Sequence, residues 1–136
     1  MTEAERVWAL MQDLVLHRHD RRKAVTEALG LSFVKTKALR RLAPGPLTLG
    51  ELAELLHTDR PYTTIVVDDL EQRGLVSRTV HPDDRRRRLV AVTPAGAEAA
   101  AAAGRLLSEP PPFLAALDGD ELAELGRLLT KLDGAG

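Results

Sequence analysis

Hydrophobic residues recur at intervals of three and four along most of the chain, which is the spacing of one face of an α-helix. Several segments also begin with a recognisable helix start: Thr2 and Thr48 are each followed by glutamate three residues later, and Thr93 precedes a proline. The two signals together predict six helices, at about 3–28, 31–42, 49–56, 60–73, 94–108 and 119–132.

The pattern changes between Gly74 and Thr93. Two short segments rich in β-forming residues, 75–80 and 89–92, flank the stretch HPDDRRRR at 81–88. Because Pro-Asp favours a turn, this region is predicted to be a hairpin with a long charged tip. Helices 49–56 and 60–73, joined by a short turn, have the size of a helix-turn-helix, and the hairpin after them has the place of a wing.

The chain has 136 residues, of which 44% are hydrophobic and 29% charged, so a single globular domain over 1–136 is expected. It contains no cysteine, which excludes thiol catalysis and thiolate metal sites. No apolar run reaches the roughly 18 residues that a membrane span needs, and the N-terminus does not resemble a signal peptide. We therefore expect a cytoplasmic protein without membrane contact.

The formal net charge is −1, but the charges are unevenly distributed. Residues 17–41 contain eight basic and two acidic side chains, and residues 78–88 contain five arginines and two aspartates. From residue 98 onward, seven acids oppose three basic residues. This polarity fits a surface for a charged ligand at one end of the molecule.

The motifs around the hairpin resemble those of the MarR family of transcriptional regulators. LEQRGLVSR at 70–78 is similar to the family's exit from the DNA-reading helix, and HPDDRR at 81–86 with LVAVTPAG at 89–96 is similar to its wing and next helix. The likeness covers about 31–96 in detail and the whole chain in helix layout.

The resemblance implies a mainly α fold with a small antiparallel β-wing, a winged helix-turn-helix of six helices, in an intertwined homodimer. Residues 1–30 and 94–136 would form the dimerisation region, and 31–93 the DNA-binding lobe. The implied function is a repressor that binds a palindromic operator and is released by a small-molecule effector, phenolic or antibiotic-like, with no cofactor.

In the wing, Arg85, Arg86 and Arg87 are the expected contacts to a narrow minor groove and its phosphates, because that groove concentrates negative potential. Arg88 is expected to turn back into the strand. Asp84 lies at the family's wing aspartate and is expected to brace a neighbouring arginine through a bidentate pair. Arg78, just before the wing, completes this predicted set.

The remaining DNA-binding candidates occupy the start of helix 60–73, where a reading helix would enter the major groove. They are Arg60, Tyr62, Thr63, Thr64 and Ile65. Hydroxyls suit phosphate, and Ile65 suits a thymine methyl. Many family members have arginine at the positions of Ile65 and Asp69, so these two departures, with Asp68, favour an alternative: a winged-helix sensor or protein-interaction module that has lost DNA binding.

The stretch His17-Arg18-His19-Asp20 raises the question of a metal site. On a helix the two histidines point about 200° apart, so they do not share a metal within one chain; a polar helix surface or a pocket lining remains the alternative. We expect Trp8, Met11, His17 and Phe33 to line an effector pocket, and no metal. Enzyme signatures, such as a nucleophile elbow or a phosphate loop, are missing, which indicates that the protein is not an enzyme.

Overall fold

The computed structural model describes residues 1–136. It contains seven α-helices, three short strands and two short helical turns. The elements are α1 (Glu3–Gln12), a π-helical turn (Asp13–Arg18), α2 (Arg21–Leu29), α3 (Phe33–Leu42), β1 (Leu47–Thr48), α4 (Leu49–Leu56), α5 (Arg60–Gln72), β2 (Val76–Val80), β3 (Arg88–Val92), α6 (Pro94–Ser108), a 3₁₀ turn (Pro112–Ala116) and α7 (Gly119–Asp133).

The predicted helix starts are confirmed by their capping contacts. Thr2, Thr48 and Asp118 each form a reciprocal capping box with the glutamate three residues later. Thr93 accepts a hydrogen bond from the backbone N–H of Gly96, with Pro94 in the first helical turn. Side-chain oxygens thus satisfy amides that a helix start leaves without a partner.

The first helix is divided, so the predicted continuous extent over 3–28 is wrong. The chain leaves helical geometry at His19 (φ −135°, ψ 52°), and Asp20 caps α2 by accepting the backbone N–H of Arg22 at 2.9 Å. An aspartate competes for backbone amides and prefers this position to a helix interior. The hydrophobic spacing continues across the break, which is why the pattern did not reveal it.

The strands form one antiparallel sheet in the order β1-β3-β2. The hairpin pairs Val76 with Val92 and Val80 with Arg88, and β1 adds Leu47 opposite Val90. The hairpin was predicted, and Arg88 does return into the strand. The two-residue strand β1 was not, because it is too short to show a strand's alternation.

The core lies between α3, α4, α5 and the sheet. Leu39, Leu42, Leu52 and Leu70 are all fully buried in it, and Ala100 joins it from α6. A side chain at Gly96 would collide with the backbone carbonyl of Leu75, so glycine is required where α6 meets the base of the hairpin. These helices and the wing hairpin therefore form one packed unit, in which α6 and the hairpin are in direct contact.

The terminal helices are packed differently. Neither α1 nor α7 has a buried residue. Large hydrophobic side chains on both are exposed, among them Trp8 (58%) on α1 and Leu132 (57%) on α7. None of the helices combines the length and apolar character that crossing a membrane requires.

Candidate nucleic-acid interface

A cleft of about 580 Å³ opens between the starts of α4 and α5 and the wing. Its lining includes five arginines: Arg60, Arg78, Arg86, Arg87 and Arg88. Two acids, Glu51 and Glu54, lie on the α4 side of the cleft. Five of the DNA-binding residues predicted from the sequence therefore line this cleft: Arg60, Thr64, Arg78, Arg86 and Arg87. Arg85 is exposed at the wing tip, outside the cleft.

The wing tip is closed by contacts to Asp84. Its Oδ1 accepts the backbone N–H of Arg86 at 3.0 Å and the Nε of the same residue at 3.3 Å. The Asp84 carbonyl accepts the N–H of Arg87 at 3.0 Å, and the N–H of His81 donates to the Arg87 carbonyl at 3.0 Å. Asp84 therefore orders the turn through one oxygen instead of the predicted bidentate pair, and the Arg86 side chain stays 92% exposed.

The cleft side of α4 is shaped by a glycine and a glutamate. Gly50 leaves space that the Arg60 guanidinium occupies. Glu51 accepts the backbone N–H of Thr48 at 3.0 Å, and this hydrogen bond lowers the pKa of Glu51, with smaller contributions from Arg87 and His81. Glu51 is thus an ionised group facing the arginines, and it partly balances their charge.

On α5 the predicted residues separate into exposed and buried ones. Tyr62 (44%) and Ile65 (62%) face outward, and Thr64 lines the cleft while its hydroxyl donates to the Arg60 carbonyl at 3.0 Å. Thr63 is fully buried, and its hydroxyl donates to the Asp59 carbonyl at 2.7 Å. Its side chain therefore has no access to a nucleic acid, which corrects that prediction: it stabilises the turn before α5.

The two aspartates of α5 are both engaged within the lobe. Asp68 contacts the Arg78 guanidinium at 2.5 Å, and Glu71 contacts it at 2.8 Å. Asp69 contacts Lys35 at 3.0 Å and Arg73 at 2.7 Å. Hydrogen bonds first from Lys35 and then from Arg73 lower the pKa of Asp69. Arg78 is thus held by two carboxylates on the cleft wall, a role that its position in the sequence did not show.

The predicted effector-pocket residues do not come together in this chain. Of the four principal cavities, one is lined by His17 and none by Trp8, Met11 or Phe33. Phe33 instead lies beneath the Arg22 guanidinium, 5.8 Å from it. The described residues include no group of three or more potential metal ligands.

A different cavity, of about 240 Å³, lies at the break between the π-helical turn and α2. The rings of His19 and Phe113 are in contact there, with centroids 4.6 Å apart and planes tilted by 49°, and Val15 and Leu16 add apolar surface. Arg21 also lines it and donates to the Leu106 carbonyl at 2.9 Å. Sequence reasoning missed Arg21 and Phe113, because they are 92 positions apart and no local pattern joins them.

Comparison with known proteins agrees with this geometry. The MarR family profile matches residues 35–87. A probable transcriptional regulator from Pseudomonas aeruginosa is 32% identical, with 93% of this chain and 95% of that chain covered and a TM-score of 0.62. No curated protein sequence matches significantly.

Two further solved structures share the fold at lower identity. Apo MarR from Escherichia coli is 24% identical, with coverage of 97% and 96% and a TM-score of 0.75. A point mutant of Staphylococcus aureus MepR, bound to an oligodeoxyribonucleotide, is 20% identical, with coverage of 99% and 98% and a TM-score of 0.73. From the family profile, the P. aeruginosa relative and the winged-helix lobe together, the chain belongs to the MarR family of winged helix-turn-helix transcriptional regulators.

Proposed function

We propose that the protein binds double-stranded DNA sequence-specifically and regulates transcription in the cytoplasm, as a homodimeric repressor and not as an enzyme. The observation that carries this proposal is the arginine-lined cleft between the start of α5 and the wing. A reading helix and a cationic hairpin on one surface match the two grooves of a duplex: α5 enters the major groove, and the wing tip lies along the flanking minor groove.

The exposure of the wing arginines supports this role. Arg85, Arg86 and Arg87 are all exposed, and the Asp84 turn holds their backbone in place. A turn whose backbone is already ordered loses less conformational freedom when its arginines meet phosphates. The MepR structure bound to an oligodeoxyribonucleotide is consistent with DNA as the ligand of this fold.

The exposed terminal helices support a dimer. Leu122, Leu129 and Leu132 lie on α7 at spacings of seven and three, so they form one apolar stripe, and α1 carries Val7 and Trp8 with similar exposure. Exposed patches of this kind mark association surfaces. A twofold dimer presents two reading helices to a palindromic operator.

The cavity at the α2 break is the site that we propose for a small-molecule effector. It combines the tilted, contacting rings of His19 and Phe113 with the cationic Arg21. An aromatic wall beside a guanidinium suits a phenolic acid or a similar antibiotic-like compound. All eight lining residues lie within 1–30 and 94–136, the proposed dimerisation region, so a bound effector would alter DNA affinity by changing how the two subunits are arranged.

DNA binding is tested by a gel shift against the DNA upstream of the protein's own gene and against a random pool. Replacing Arg85, Arg86 and Arg87 together with alanine should flatten the salt dependence of binding, by roughly 0.9 in the log–log slope for each phosphate that the variant no longer neutralises. A matched control replaces Arg6, Arg105 and Arg127, which lie on α1, α6 and α7, and so changes the net charge equally. Equal slopes for the two triple variants would contradict the wing assignment.

One observation favours a second candidate function, a sensor or protein-interaction module without DNA binding. Ile65 is the most exposed large hydrophobic residue of the lobe, on the face that would meet DNA. Failure of the folded dimer to shift both its upstream DNA and every sequence of the random pool would support this alternative over the proposal.

A further inference from the structure

We infer that α5 recognises thymine through the C5 methyl group, with Ile65 as the contacting residue and Tyr62 beside it, so that thymines and not guanines define the operator bases under this helix. The inference rests on the proposed DNA-binding function and specifies the sequence that this function selects.

The outer face of α5 lacks the side chains that usually read purines. Beyond Arg60 its exposed positions are Pro61, Tyr62, Ile65, Asp68, Glu71 and Gln72. Guanine is read mainly by arginine or lysine, and adenine by asparagine or glutamine. Between Arg60 and Arg73 the helix has no basic residue and no carboxamide except Gln72 in its last turn, far from the end that enters the groove.

Two of the three arginines around this face are already held by carboxylates. Arg78 is held by Asp68 and Glu71, and Arg73 is held by Asp69. Asp68 gives one oxygen, Oδ1, to Arg78, and its side chain remains 61% exposed, so its second oxygen can still accept a hydrogen bond from a cytosine amine. Arg60 lies over Gly50 in the cleft, at the edge of the reading face. The centre of this face therefore lacks a free basic side chain for recognising guanine.

What remains at the centre of the face is apolar. Ile65 is 62% exposed, and Tyr62, one turn earlier on the same side, is 44% exposed. Among the base edges in the major groove, the thymine methyl is the one apolar group. Covering Ile65 with that methyl removes apolar surface of both partners from water, an advantage that cytosine cannot supply.

The experiment uses the full-length dimer and the DNA site recovered by selection from a random pool. Each thymidine is replaced in turn by deoxyuridine, which removes only the methyl group. At the thymine that Ile65 contacts, affinity should fall about fourfold for one half-site and roughly fifteenfold when both half-sites are changed. At thymines elsewhere in the site, the same replacement should have little effect.

The Ile65→Ala variant identifies the residue responsible. It should bind thymidine and deoxyuridine sites equally, because the partner of the methyl is gone; Ile65 is exposed, so the fold is retained. Leu55→Ala is the matched control: it trims another exposed apolar side chain, on α4 and outside the cleft, and should keep the full sensitivity to deoxyuridine.

Two results would overturn the inference while leaving DNA binding intact. One is wild-type affinity that no deoxyuridine replacement changes. The other is an unchanged deoxyuridine effect in Ile65→Ala, which would assign the methyl contact to another residue or to DNA shape. Absence of binding to any pool sequence would instead reject the proposed function, and the inference with it.

Discussion

Gly50 shows how a missing side chain can position a charged one. Its backbone does not lie in the left-handed region, so the glycine is not needed for its conformation. A Cβ at this position would lie 2.8 Å from the Nη2 atom of Arg60. The glycine therefore matters for the space that it leaves, which lets the guanidinium lie across the start of α4 inside the cleft.

Substituting Gly50→Ala should separate stability from binding. Alanine favours the helix by up to about 1 kcal/mol, and the guanidinium is a flexible end that can move aside, so the melting temperature should hold or rise. DNA affinity should fall by roughly tenfold, because Arg60 would leave the cleft position from which we propose that it contacts a phosphate. Thermal unfolding and a DNA titration measure the two effects.

Gly104→Ala is the matched control. It lies within α6, where an added Cβ meets nothing within 4 Å. It should stabilise the helix similarly and leave DNA affinity unchanged. A Gly50→Ala protein that binds as tightly as the wild type would show that Arg60 does not depend on this space.

Single residues also mark the limit of what the sequence can predict. The exposed arginines of the tip followed from a local turn signal, since Pro82 and Asp83 begin the turn. The ion pairs of Arg78 with Asp68 and Glu71 could not be predicted in this way, because they join β2 to α5 and depend on the tertiary fold. The spacing of Thr63 with Val66 and Leu70 already indicates the buried face of the helix, so its inclusion among the DNA contacts was inconsistent with the pattern, and the structure shows it buried.

One carboxylate adds an ionic link between α3 and α5, which also pack against each other through the core. Asp69 contacts Lys35 of α3 and Arg73 of its own helix, and these partners hold the pKa of Asp69 below its ordinary value of 3.8. A depressed folded pKa means that the stabilisation is complete above the ordinary pKa and is lost as the pH falls through the folded value. The reading helix is thus tied to α3 throughout the neutral range.

Replacing Asp69 with asparagine should lower the free energy of unfolding at pH 7. It should also reduce the further decrease in that free energy when the pH falls below about 4. Only part of that acid loss should disappear, since the pKa values of Asp20 and Glu51 are also lowered. Urea unfolding midpoints between pH 7 and pH 3, at one protein concentration, provide the measurement. Asp83→Asn changes an exposed wing acid that forms no ion pair, so its urea midpoints should change with pH as those of the wild type do. The same pH dependence in Asp69→Asn would contradict the ionic link.

The helices and the hairpin were predictable because their signals are local. Capping residues and periodic hydrophobic positions fixed every helix in the lobe within about two residues. The break at His19 and Asp20 and the short strand β1 were missed for a shared reason: each is two residues long, shorter than any period. The packing of α6 on Leu75 through Gly96 likewise has no local signature.

Within the whole molecule, the helices differ in how far their apolar side chains are buried. Helices α3, α4, α5 and α6 and the sheet share one core, whereas α1 and α7 expose apolar surface that a single chain leaves uncovered. The predicted effector pocket failed to assemble for this reason, since α1, which holds Trp8 and Met11, extends away from the lobe.

Placing a charge on the α7 stripe should therefore dissociate the dimer. Leu129→Glu puts a carboxylate among exposed leucines, and burying it against a partner would be strongly unfavourable. Sedimentation equilibrium should show a monomer, and DNA binding should weaken because one lobe contacts only one half-site. Leu55→Glu, on α4, is the control that should remain dimeric; a dimeric Leu129→Glu protein would place the association surface elsewhere.

The uneven charge has a consequence for how such a protein finds its site. With a net charge of −1, the molecule exerts almost no attraction on a distant duplex. Within the Debye length of about 8 Å, the phosphates attract the arginine tip and repel the acid-rich C-terminal third. We therefore expect DNA to meet the wing first, and we expect binding to arbitrary DNA to depend on the few phosphates that the wing arginines neutralise.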